Sequence, residues 1–117
     1  MQKANYFTLT TGLAGGETVQ FADGRWPGEI GAGIAIREEA FDLIEPHLRA
    51  VAPNWTNGHR YGVFELSVGA RAGLAKSLRS ELRDSSDATA KSALFRALAG
   101  WLEERPDEDA PVSVLGI

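Results

Sequence analysis

Apolar and polar positions change period several times along the chain, and each change predicts an element. Tyr61-Gly-Val-Phe-Glu-Leu66 is a short, mostly apolar run suited to a strand, and Ser67 stands where a helix N-cap belongs. Leu74, Leu78 and Leu82 then recur at a spacing of four, so one helical stripe folds back onto that strand. Upstream, Asn5 to Thr11 is rich in aromatic and threonine residues and predicts a first strand. Gly12 to Gly16 supplies a turn, and Glu17 to Ala22 reads as the returning strand, with Val19 and Phe21 on one face. Asp23-Gly24 predicts a tight turn into a third strand over residues 28–36, so that the three strands form an antiparallel meander.

The period changes at Arg37. Phe41, Ile44, Leu48 and Val51 recur at helical intervals, while Glu38, Glu39 and Asp42 crowd the first turns, where the helix dipole favours anions. Pro46 has no N–H for the carbonyl of residue 42, so it is expected to kink this helix or divide it near Glu45. The helix after Ser67 carries a second stripe of small residues, Gly69, Gly73 and Ser77 with Ser80 beside them. A glycine inside a helix costs roughly 1 kcal/mol against alanine, so a close neighbour is expected there, most simply another helix of the same chain. Lys76, Arg79 and Arg83 flank the stripe as a basic strip that reads as a solvated edge. Asp84-Ser-Ser-Asp87 breaks the helix and offers a new N-cap. Ala90, Leu94, Leu98, Trp101 and Leu102 then form an apolar arc with Phe95 at its margin. Residues 105–111 are a polar, acidic connector, and residues 112–117 read as a last strand docked into the sheet. The order β-β-β-α-β-α-α-β predicts one α+β domain over residues 1–117, a mainly antiparallel sheet with helices packed on one face.

Composition narrows the chemistry. The absence of cysteine excludes disulfides, thiol catalysis and thiolate metal sites, and fits a reducing interior. No apolar run approaches the length of a membrane span, and the opening residues have no apolar signal core, so neither membrane nor secretion is expected. Asn54-Trp55-Thr56 matches a glycosylation acceptor by chance on that reading. The formal charge of −4 argues against nucleic acid, which demands clustered lysine and arginine. Gly28-Glu-Ile-Gly-Ala-Gly33 has the wrong order for a dinucleotide fingerprint, and Gly12 to Gly16 lacks the Lys-Ser/Thr of a phosphate loop. His47 and His59, the only histidines, sit in no metal-ligand spacing, so neither metal nor cofactor is expected. Ser67 is a cap and has no nucleophile elbow around it.

Two surfaces remain as candidates. Trp26 and Trp55 lie in polar loops, where large aromatics either anchor a partner or cap the core, and the group Glu38, Glu39, Asp42 and Glu45 supplies negative charge. A partner-binding surface built from Glu38, Glu39, Asp42, Trp55, His59 and Tyr61 follows, with no catalytic residue in it. The alternatives are a small-ligand or acid–base site, since His59, Tyr61 and Glu65 share strand parity, and a structural or oligomeric subunit using the small-residue stripe or an exposed sheet edge. The opening hairpin, the Tyr61–Leu66 strand running into its helix and the terminal Pro-Val-Ser-Val-Leu-Gly-Ile, in a small acidic chain without cysteine, resemble the immunity proteins of bacterial polymorphic and contact-dependent toxins. The resemblance implies a non-enzymatic, cytoplasmic protein that occludes the active site of a basic toxin domain; it carries no residue roles.

Overall fold

The computed structural model describes residues 6–11, 18–24, 30–56, 62–84, 89–104 and 112–116. The alternating segments form strands β1 (Phe7–Thr11), β2 (Thr18–Gly24), β3 (Ile30–Arg37), β4 (Val63–Leu66) and β5 (Val112–Leu115). The periodic ones form helices α1 (Glu38–Val51), α2 (Val68–Asp84) and α3 (Ala90–Glu103). Element order and class are those expected: an α+β fold in which all strand pairings are antiparallel.

The strand order, β1-β3-β2-β5-β4, departs from the expected meander. Ile36 pairs with Phe7 on one side and with Val19 on the other, so β3 lies between β1 and β2 and these two form no opening hairpin. Hydrophobic burial accounts for this. Ile34 and Ile36 are both fully buried, and a central strand gives them neighbours on both sides. The threonine-rich β1 takes the edge, where Leu9 stays 67% exposed. The apolar β5 inserts between β2 and β4, as its composition anticipates.

All three helices cover one face. Val19, Phe21, Ile34, Ile36 and Val114 project into a single core with Phe41, Ile44, Leu74, Leu78 and Leu98. Burying one such side chain contributes about 1.5–3 kcal/mol. The opposite face is also buried at its centre, at Gln20, Ala22, Ala35 and Ser113. Its polar groups are paired: Gln20 Nε2 donates to Thr10 Oγ1 at 3.0 Å, and the Ser113 hydroxyl donates to the Gly24 carbonyl at 2.7 Å. Gly33 is required here, because a Cβ would come within 2.7 Å of the Phe21 carbonyl oxygen.

Local signals set the helix ends. Ser67 Oγ accepts from the Ala70 N–H at 3.1 Å, the expected cap of α2. The cap of α3 is Thr89, just beyond the stretch Asp84 to Asp87 expected to offer it, because Thr89 and Ser92 close a reciprocal capping box. Pro46 does not divide α1, which runs unbroken from Glu38 to Val51. Pro46 and Asp42 are both exposed, so water can satisfy the carbonyl that proline leaves without a donor. The small-residue stripe meets α1 as expected: a Cβ on Gly73 would lie 3.0 Å from Val51 Cγ1, while Gly69 faces open space.

Candidate functional site

The acidic candidates sit at the start of α1. Glu39 and Asp42 are exposed and Glu38 is half-buried, with Glu39 paired to Arg37 at 2.6 Å. Trp55 does not join them as a surface anchor. It is 4% exposed and wedged between Phe41 and Phe64, with ring centroids 5.7 and 5.3 Å away. Its indole N–H donates to Glu45 Oε2 at 2.9 Å, which gives a buried carboxylate a partner inside the core. The polar loop around Trp55 therefore caps the core and presents no ring to a partner. His59, Tyr61 and Trp26 lie outside the described residues, and Glu65 is exposed on β4.

A second constellation joins the three helices. His47 of α1 contacts Ser77 Oγ through Nδ1 at 2.7 Å and Glu81 Oε1 through Nε2 at 3.1 Å. A carboxylate only accepts, so in the neutral ring the proton sits on Nε2 and Nδ1 accepts from the serine hydroxyl. Lys91 of α3 grips the other Glu81 oxygen at 2.9 Å and also lies 5.4 Å from the centroid of the Phe95 ring. The Lys91 hydrogen bond holds the Glu81 carboxyl below the usual carboxylate range against its partial burial, and His47 adds to this. Serine, histidine and acid here follow the order of a nucleophile relay. Ser77, however, lies inside α2, where neighbouring backbone N–H groups are committed to the helix ladder and cannot stabilise an oxyanion. The constellation ties α1, α2 and α3 together.

On the other side of α2, the seam with α3 opens into a groove of about 790 Å³. Its apolar part comes from Val68, Ala72, Ala75 and Leu82 of α2 and Leu102 of α3. Arg71, Lys76, Arg79 and Arg83 from α2 and Arg96 from α3 supply positive charge, against one carboxylate among the described residues, Glu103. The α2 positions fall at helical spacing along one stripe from Val68 to Arg83, a run of about 22 Å at the ordinary rise per residue. Arg79 crosses the groove to Glu103, with Nε 3.2 Å from Oε2 and Nη2 2.8 Å from Oε1. That two-pronged hydrogen bond raises the Arg79 pKa and lowers that of Glu103. Among the described residues Lys76, Arg83 and Arg96 are exposed and enter no ion pair.

The sequence marks Lys76, Arg79 and Arg83 as a strip along one helix. What it does not disclose is that α3 lies beside them, adding Arg96 and Leu102 to make a groove. Among the described residues no helix is long and apolar enough to cross a membrane, and no cluster of three or more potential metal ligands occurs. Comparison with known proteins finds no matching family model, no matching curated protein and no matching solved structure.

Proposed function

We propose that the chain is a non-catalytic protein-binding domain that holds its partner stoichiometrically against the α2–α3 seam. The observation that carries this reading is the groove itself: an open channel with an apolar floor, lined along a packed pair of helices by the exposed cations Lys76, Arg83 and Arg96. Such a surface desolvates apolar side chains at its centre and orients a partner by charge at its rim, the division of labour seen in protein interfaces. The volume alone would also suit a small ligand. The length of the stripe and the exposure of Lys76, Arg83 and Arg96 favour an extended macromolecular contact.

Neutralising a toxin is the form this function takes under the immunity resemblance. The groove has the opposite sign to the acidic surface expected to meet a basic toxin, so the two surfaces make opposite predictions. The experiment purifies the chain with the product of the adjacent reading frame and measures complex mass by size exclusion with light scattering. A one-to-one complex that Lys76→Glu with Arg83→Glu dissolves, and that Glu39→Gln with Asp42→Asn leaves intact, supports the groove. The reverse pattern moves the contact to the first turns of α1, and absence of any complex contradicts the toxin-binding form.

A further inference from the structure

The sign of the groove specifies the class of partner, an inference that rests on the protein-binding reading above. We infer that the α2–α3 groove receives an acidic amphipathic segment of another protein, its apolar side chains against Val68, Ala72 and Leu82 and its carboxylates on Lys76, Arg83 and Arg96. Three observations carry this. Among the described residues the groove presents three exposed cations, Lys76, Arg83 and Arg96, beside the Arg79–Glu103 pair, in a chain whose net charge is −4, so its positive charge is local and opposes that of the molecule as a whole. Glu103 already makes with Arg79 the two-pronged contact that an incoming carboxylate would make, at 2.8 and 3.2 Å. The stripe extends about 22 Å, the length of roughly 15 helical residues, which is far longer than one phosphate needs.

The floor separates a peptide from a nucleic acid. Among the described residues no aromatic side chain lines the groove to stack a base, and a sugar–phosphate backbone gains nothing from Val68 and Leu82. An amphipathic helix gains from both parts, burying leucines at helical spacing while glutamates on its flanks meet the cations. Glu103 then acts as an internal competitor, because it occupies Arg79 and repels an approaching carboxylate.

The test measures fluorescence anisotropy of a labelled 15-residue peptide carrying leucine and glutamate at helical spacing. Comparison peptides replace every glutamate with glutamine or with lysine, and a single-stranded oligonucleotide of equal charge serves as the nucleic-acid probe. The acidic peptide is expected to bind, to weaken with added salt, and to lose about tenfold or more in affinity with Lys76→Glu and Arg83→Glu together. Glu103→Gln is expected to bind several-fold tighter, a gain that damage to the fold would not produce. Equal binding of the glutamine or lysine peptide overturns the acidic class and leaves the protein-binding reading standing. An oligonucleotide that outcompetes the peptide assigns the groove to nucleic acid and overturns both. Failure of every peptide to bind chain whose circular dichroism remains native likewise overturns both, and an unchanged or weakened Glu103→Gln rejects the role given to that carboxylate.

Discussion

At the scale of single residues, burial decides what a side chain is for. Trp55 carries the composition of an interface anchor, yet its ring fills the gap between Phe41 and Phe64 and its N–H serves Glu45. Trp55→Phe keeps an aromatic ring but removes that donor, leaving a carboxylate that is only 9% exposed without its indole partner. The variant is expected to lose about 1–3 kcal/mol in urea denaturation, and stability within error of the parent would contradict this role. Glu81 gives a pH dependence. Its folded-state pKa is depressed, chiefly by Lys91, so its contribution is in place above the ordinary carboxylate range and vanishes as pH falls through the folded value. Its side chain is 37% exposed, which limits the effect to no more than about 1 kcal/mol. Urea midpoints of the parent and Glu81→Gln should therefore differ at neutral pH and converge as pH falls below the ordinary carboxylate range. Divergence on acidification would reverse the assigned sign.

At the scale of elements, capping and close approach separate residues that look alike in the sequence. Gly69 and Gly73 lie on the same stripe of α2, but Gly73 packs on Val51 and Gly69 meets nothing. Gly69→Ala should stabilise by up to about 0.5–1 kcal/mol, since only backbone freedom changes, whereas Gly73→Leu should destabilise by driving its side chain into α1. Thermal melts of the two variants check the contrast, and equal shifts would remove the helix contact assigned to Gly73. Local signals of this kind made the strands, the helices and the Ser67 cap legible, because period and capping depend on residues a few positions apart. Strand order was not legible, since the pairing of Phe7 with Ile36 spans most of the first third of the chain. The groove was half legible for the same reason. Lys76, Arg79 and Arg83 share a helix, but Arg96 and Leu102 join them only when α3 docks.

At the scale of the whole molecule, charge is segregated. Glu39 and Asp42 mark the exposed start of α1, while Lys76, Arg83 and Arg96 line the α2–α3 seam. A chain of net charge −4 therefore offers a positive surface to a partner that approaches within about one Debye length, roughly 8 Å at physiological salt. The helices beneath that surface are fixed by the shared core and by the contacts from His47 and Lys91 to Glu81. A partner docking there as proposed would meet a preformed surface and need little rearrangement. The most direct measurement follows backbone amide chemical shifts as the acidic amphipathic peptide is titrated in. Changes confined to residues 68–83 and 96–103, with the first turns of α1 and the sheet undisturbed, are the predicted result. Changes centred on Glu38, Glu39 and Asp42, or none at saturating peptide, would contradict the assignment of the groove as the binding surface.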